Sequence, residues 1–428
     1  MAMKKAAILA AGDSTRMMPL SANVPKHLLP IAGKPLLFHT LEQLEAAGIE
    51  ESLIVYGYNG EELKRAVESR DWGKMNIQYT FQKERKGTAH AASYASDFGG
   101  KEEILLMYGD VMVAPNTFSN LIKFHENGGY EATMSLYEVK DPSAYGVVQI
   151  QDGLVNRIIE KPDSDAEGNL ANAGIYVVGD SVWDAISKTK ESERGEYEIT
   201  DSIESIAKEE RVGGFRLPSW WIDIGKPWDI LEANKLVLQS QKRRLDGSIE
   251  EGAHIEGEVV VEENAKILSG AYIIGPVYVG AESKIGPNCY IRPHSSLGQD
   301  VRIGNAVEIK NSVIMDHTNV GHLSYVGDSV IGHNTNLGAG TITANLRHDD
   351  ADIKVTVKGE RRSSGRRKLG AILADNVKTG IGTCLGPGVV VGPGGRTGMG
   401  VIVDKDIEEN TLVMAQQQVE QRKMSGNE

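Results

Sequence analysis

The chain is poor in cysteine. Two in 428 residues, Cys289 and Cys384, cannot build a disulfide framework and fit no zinc-ligand spacing. No stretch approaches the ~20 apolar residues of a membrane span, so no membrane partner is expected. Positive charge is also short. Lys and Arg number 46 against 59 Asp and Glu, a formal net charge of −13, which argues against nucleic acid as a partner. The apolar run at 6–11, after Lys4-Lys5, is too short for a secretion signal, and the cytoplasm is the expected compartment. Aromatics make up 6% of the chain, whereas Gly reaches 48 residues, with the excess in the second half. The two halves are therefore built differently, and the length itself calls for two domains.

In the first half, strand-like runs at 6–11, 52–56, 76–81 and 103–108 alternate with helical patterns at 36–47, 60–68 and 88–96. This alternation predicts an α/β fold, a mostly parallel sheet with helices on both faces. Later runs at 132–139, 146–150 and 174–178 read as mixed or antiparallel. Ligands of such sheets bind beyond the carboxyl ends of the parallel strands. The stretch that answers this description is Ile8-Leu9-Ala10-Ala11-Gly12-Asp13-Ser14-Thr15-Arg16-Met17. Its loop backbone N–H groups suit phosphate oxygens. Arg16 adds a planar fork for phosphate, and Lys26 adds a compact point charge. Neither the P-loop spacing nor GxGxxG is present, so this is a phosphate cradle of another kind. Asp110 ends the run Leu106-Met107-Tyr108-Gly109-Asp110, and Asp223 stands in Trp221-Ile222-Asp223-Ile224-Gly225. Alone, Asp110 would read as a turn or cap residue. As a pair the two carboxylates suit Mg2+ beside phosphate oxygens.

After a connecting helix the period changes. Aliphatic residues recur every six positions at Ile249, Ile255, Val261, Ile267, Ile273, Val279, Ile285, Ile291, Leu297, Ile303, Ile309 and Met315. Small residues follow four positions later, as at Ala265, Ala271, Ser283, Cys289 and Ser295. A hexapeptide repeat marks a parallel β-helix, with the aliphatic column inside and the small residue at the corner. Both cysteines read as small core residues of this repeat. The phase slips near Val320 and Val326, a non-repeating excursion runs from 345 to 369, and the period resumes at Leu373. A polar tail from 415 reads as a frayed helix.

Some twenty positions in order, Leu9 to Met17 and then Pro25-Lys26-His27-Leu28-Leu29-Pro30-Ile31-Ala32-Gly33-Lys34-Pro35, resemble the signature loop of the sugar-1-phosphate nucleotidylyltransferases. The resemblance implies a Rossmann-like nucleotidyltransferase domain over 1–228. In it Leu9, Ala11, Gly12, Gln82, Gly87 and Thr88 would hold the nucleotide, UTP or dTTP. Gly87-Thr88-Ala89-His90-Ala91 looks like the uridylyltransferase branch, although Thr88 also reads as a helix cap. Tyr108, Gly146, Glu160, Lys161 and Asn172 would take the sugar-1-phosphate, and Asp110 and Asp223 would hold Mg2+. Arg16 and Lys26 would be the catalytic cations, Arg16 at the leaving pyrophosphate and Lys26 at the α-phosphate.

Three further segments, Lys310-Asn311-Ser312-Val313, Gly321 to Asp328 and Asn336 to Asn345, resemble the acetyl-transfer half of the bifunctional N-acetylglucosamine-1-phosphate uridylyltransferase / glucosamine-1-phosphate acetyltransferases. This implies a linker helix at 229–246, a left-handed parallel β-helix acyltransferase domain at 247–412, a tail at 413–428, and a homotrimer. His322 would be the base, Tyr325, Asn336 and Asn345 would bind the amino sugar, and Arg292 and Lys310 its phosphate. Acetyl-CoA would be the co-substrate. Leu346-Arg347-His348-Asp349 stands where bacterial members have Tyr-Asp-Gly and looks like the archaeal form. The basic run Arg361 to Lys368 would face coenzyme A phosphates or form a solvated loop. The expected enzyme acetylates glucosamine-1-phosphate and makes UDP-N-acetylglucosamine. The alternatives are a nucleotidylyltransferase for glucose-1-phosphate with the β-helix as a trimerising or regulatory module, and a non-enzymatic scaffold.

Overall fold

The N-terminal apolar run forms strand Lys5–Ala10, buried from its second residue on, and a nine-stranded sheet grows on both sides of it. The computed structural model describes residues 3–160 and 168–424. By contacts these fall into two units. The first holds the N-terminal residues to Met17, Asn23–Pro30 and Lys34–Gly225; the second holds Met18–Ala22, Ile31–Gly33 and the chain from Lys226.

In the first unit the sheet order begins Asn76–Phe81, Glu51–Tyr56, Lys5–Ala10, Ile104–Tyr108, all parallel. Chain order runs outward to one side from Lys5–Ala10 and then jumps to its other side. The three inner strands are apolar on both faces because helices such as Leu36–Ala46 cover them, whereas the edge strand Asn76–Phe81 is partly exposed. Beyond Ile104–Tyr108 the sheet turns mixed. Leu170–Val178 pairs antiparallel with it, and Ala132–Glu138, Val212–Arg216, Leu154–Glu160 and Gly146–Gln151 follow.

The second unit opens with helix Asp229–Ser240. The helix stops short of the expected 246 because Arg244–Leu245 already pairs, parallel, with Val260–Val261. Three parallel sheets follow, of eight, six and eight strands. Ile249 pairs with Ile267, Ile267 with Ile285 and Ile285 with Ile303, a step of eighteen residues, or three hexapeptides. From Ile267 on, each step presents the same aliphatic position inward, and Ile267, Ile273, Val279, Ile285 and Ile303 are all 0% exposed, whereas Ile249, expected in the same column, is 38% exposed in the end coil, which has no coil beneath it. Ile303→Ala is expected to lower the stability of this unit by about 2–5 kcal/mol in a denaturant melt, since a rigid column cannot collapse onto the gap.

Three expectations need correction. The column residue after Ile309 is Ile314 and not Met315, because the corner between them is one residue short. Cys289 is buried, but Cys384 is exposed: Leu385 takes the inward position of its strand, and alternation turns Cys384 out. The tail carries no helix as far as Met424, since it has no apolar face to bury. The excursion is not shapeless. It contains the antiparallel hairpin Lys354–Val357 and Glu360–Ser363, with Val355 and Val357 buried.

Candidate functional site

Lys5–Ala10 and Ile104–Tyr108 are neighbours at the point where the strand order reverses, so the loops beyond their carboxyl ends part and leave a crevice. The Gly109 N–H donates to the Leu9 C=O at 2.9 Å and ties the two loops together. The crevice is a cavity of about 450 Å3. Its walls include Leu9, Ala11, Gly12, Arg16, Lys26, Gln82, Gly87, Thr88, Tyr108, Asp110, Gly146, Glu160, Asn172 and Asp223. Lys161 lies outside the described residues.

At one end, Lys26 and Asp110 form an ion pair whose side chains are 9% and 18% exposed. Asp223 is brought beside them by a two-stranded ribbon. Trp221–Asp223 runs antiparallel to Val111–Val113, and the Ile224 N–H donates to the Asp110 C=O at 2.9 Å. Burial by itself would raise the Asp110 pKa, but the charge and hydrogen bond of Lys26 outweigh it and hold the carboxyl below its usual range. Arg16 stands exposed at the rim, on the single turn Thr15–Met17.

His27 lies in the same wall, 2% exposed. Burial, then the charge of Lys26, push its pKa from 6.5 down to about 3. Between those values an unfolded chain binds a proton that the folded chain refuses. Folding stability therefore falls as pH falls across that window, by at most ~1.4 kcal/mol per pH unit from this group. His27→Asn is expected to flatten that part of the stability curve in denaturant melts.

At the other end, Gln82 is 3% exposed and its amide meets His90 Nδ1 at 3.0 Å. Gly87 has φ +108°, and a Cβ there would stand 2.5 Å from the Tyr197 carbonyl oxygen. Thr88 does not cap its own helix. Its hydroxyl accepts from the Ile199 N–H at 2.9 Å, so it caps the helix Ile199–Ala207. Asn172 sits where a bulge breaks the pairing of Leu170–Val178, and it accepts from the Gly174 N–H at 3.0 Å. Gly174, at φ +71°, leaves room for the Tyr108 ring. Beneath them, Tyr176 bonds Tyr108 and Asn172 through its hydroxyl. Arg194 was missed from sequence. It reaches Glu160 and Glu198 at 3.2 Å each, and it lies in a loop with no pattern to mark it.

The second group of candidates lies in the repeat. Two successive corners between the same pair of sheets, after Ile309 and after Val326, hold five residues instead of six, and the excursion leaves the next coil at that corner. The short corners explain the phase slips. They stack Lys310, Asp328 and Asn345 in adjacent coils. Lys310 pairs with Asp328 at 2.7 Å, and Asn345 donates to the Tyr325 hydroxyl at 3.0 Å. Arg292 pairs with Glu308 at 2.9 Å one coil below Tyr325. Burial, chiefly, raises the Tyr325 pKa, so its hydroxyl stays protonated. His322 is exposed at the end of Asn319–His322, three residues before Tyr325. Asn336 is exposed on the sheet face of His322, paired with Asn319. No hydrogen bond among the described residues joins the side chains of His322 or Asn336 to the Lys310 group. The arginines of the excursion are partnered within the chain: Arg361 with Asp406, Arg362 with Glu360, Arg366 with Glu232 and Arg367 with Asp350.

Residues 5–240 match the family described as Nucleotidyl transferase, and residues 273–380 the one described as GMPPB C-terminal domain. The Bifunctional protein GlmU of Methanocaldococcus jannaschii is 42% identical over 422 residues, covering 98% of this chain and 99% of that protein. The Bifunctional sugar-1-phosphate nucleotidylyltransferase/acetyltransferase of Sulfurisphaera tokodaii is 41% identical over 408 residues, 94% of this chain and 98% of its own. A solved structure of UDP-glucose pyrophosphorylase complexed with UDP-glucose matches with a TM-score of 0.51 at 26% identity, covering 56% of this chain and 100% of that one. No helix among the described residues is long and apolar enough to cross a membrane. With a family match over more than half of its residues and bifunctional relatives along nearly all of them, this chain belongs to the nucleotidyl transferase family, in the line of the bifunctional sugar-1-phosphate nucleotidylyltransferase/acetyltransferases.

Proposed function

We propose that the chain acetylates glucosamine-1-phosphate with acetyl-CoA and then transfers UMP from UTP to N-acetylglucosamine-1-phosphate, releasing pyrophosphate. The observation that carries the second step is the meeting of Lys26, Asp110 and Asp223 at one end of a cavity whose other walls hold Gln82, Glu160 and Asn172. We take Asp110 and Asp223 as the holders of Mg2+, because two hard oxygen donors, one in the turn before Val111–Val113 and one on the strand paired with it, suit that ion. Bound there, the ion would neutralise triphosphate charge. The chain's own part is positioning. Lys26 steadies the α-phosphate while a sugar-phosphate oxygen forms the new P–O bond, and Arg16 takes up charge on the departing pyrophosphate.

For the first step, the sugar amine forms the C–N bond to the acetyl carbon and the C–S bond to coenzyme A breaks. His322 takes the amine proton, work that suits an exposed imidazole near neutral pH. Tyr325, Asn336 and Asn345 would hold the sugar, and Arg292 and Lys310 its phosphate. The three parallel sheets support a β-helix; its left hand and its assembly as a homotrimer are what the family resemblance implies. The nucleotidyltransferase domain is then 1–228, the linker 229–246 with its helix at Asp229–Ser240, the acyltransferase domain 247–412 and the tail 413–428, and the compartment the cytoplasm.

The test is purified protein with Mg2+, each nucleoside triphosphate and each sugar-1-phosphate, and separately acetyl-CoA with glucosamine-1-phosphate. Uridylyl transfer without acetyl transfer would overturn the two-site reading. Loss of neither but preference for glucose-1-phosphate would overturn the substrate.

A further inference from the structure

Asp328 is a carboxylate almost without solvent, 3% exposed, and no part of the reaction described above uses it. Three side-chain donors converge on it: Lys310 Nζ at 2.7 Å, Asn311 Nδ2 at 2.7 Å and Asn345 Nδ2 at 2.6 Å. Its backbone is held as well. Its N–H donates to the Lys310 C=O and its C=O accepts from the Gly370 N–H, both at 2.8 Å, across the shortened corners. We propose that Asp328 is a positioning residue for acetyl transfer, which dictates how Asn345 and Tyr325 face the amino sugar; the proposal rests on the acetyltransferase reading.

The argument is one of donors and acceptors. An ionised carboxylate can only accept, so a primary amide beside it must turn its NH2 toward it. Asp328 thereby decides the orientation of Asn345 and turns Asn345 Oδ1 the other way, as an acceptor. The same Nδ2 donates to the Tyr325 hydroxyl oxygen at 3.0 Å. That oxygen is used as an acceptor, and the phenol proton is left to donate. The pair then offers a ligand one acceptor and one donor in fixed places. An amine or hydroxyl hydrogen fits Asn345 Oδ1, and a sugar oxygen fits the Tyr325 O–H. Without the carboxylate the amide has two orientations of similar energy, and Lys310 loses its anchor.

Steady-state acetyl transfer by Asp328→Asn, Asn345→Asp and the double exchange tests this. Each single change sets like against like: two amides in the first, two carboxylates in the second. Each is expected to raise KM for glucosamine-1-phosphate on the order of 10- to 100-fold, the loss of a charge-assisted hydrogen bond, with KM for acetyl-CoA unchanged. The double exchange restores one donor facing one carboxylate, and is expected to bring KM back to within about tenfold of the parent. Unchanged nucleotidyl transfer and a retained thermal transition show that each variant is folded. If Asp328→Asn fails that check, Asn345→Asp and the double exchange probe the same hydrogen bond from its other end. An unaltered KM in the folded single variants, or a double exchange no better than the worse single, would overturn the proposal. Absence of acetyl transfer in the parent protein would overturn the acetyltransferase reading, and this assignment with it.

Discussion

Asp110→Asn is expected to abolish uridylyl transfer to within a thousandth of the parent rate, a loss of about 4 kcal/mol in transition-state stabilisation. The reason lies in the pairing. Lys26 is 9% exposed in its side chain, and it pairs with Asp110. An amide at 110 leaves an ammonium buried without its counter-ion and takes one of two carboxylates from the candidate Mg2+ site. The Lys26 head is then drawn toward any other anion, including Asp223 in the same cavity wall, and away from the α-phosphate. Acetyl transfer in the same preparation is expected to continue. The measurement is pyrophosphate release against coenzyme A release from one sample. A variant that kept more than a tenth of the uridylyl rate would remove Asp110 from the chemistry.

His322→Ala is expected to give the mirror result. Acetyl transfer should fall by about 10^2- to 10^4-fold, the usual worth of a positioned general base, while uridylyl transfer is untouched. The residue is exposed and its backbone does the structural work: its C=O accepts from the Ser324 hydroxyl at 2.8 Å and the Gly340 N–H at 3.2 Å. Removing the imidazole therefore costs little in folding, so a kinetic loss reports chemistry. Loss of both activities in folded protein would contradict two separate sites.

Much of the architecture was legible in sequence because it is periodic. A six-residue recurrence admits few packings, and the alternation of strand and helix patterns in the first half leaves only a sheet with covered faces. The failures share one cause, placement in space that composition does not encode. Met315 kept the count of six, yet the corner had dropped a residue and Ile314 turned inward. Thr88 carried the composition of a cap but serves a helix more than a hundred residues away. Arg194 stood in an unremarked stretch and Asp328 closed a marked one without a role of its own, and each became visible only when carboxylates or amides from other segments were brought to it.

By itself, the order of residues determined the residue types of both candidate sites and the repeat that carries one of them, because phosphate binding and coil stacking each demand particular side chains at particular intervals. Only the tertiary structure decided which charges meet. Lys26 with Asp110, and Lys310 with Asp328, are separated along the chain and joined by strand pairing and coil register, and a buried charge takes its energy from its neighbour in space.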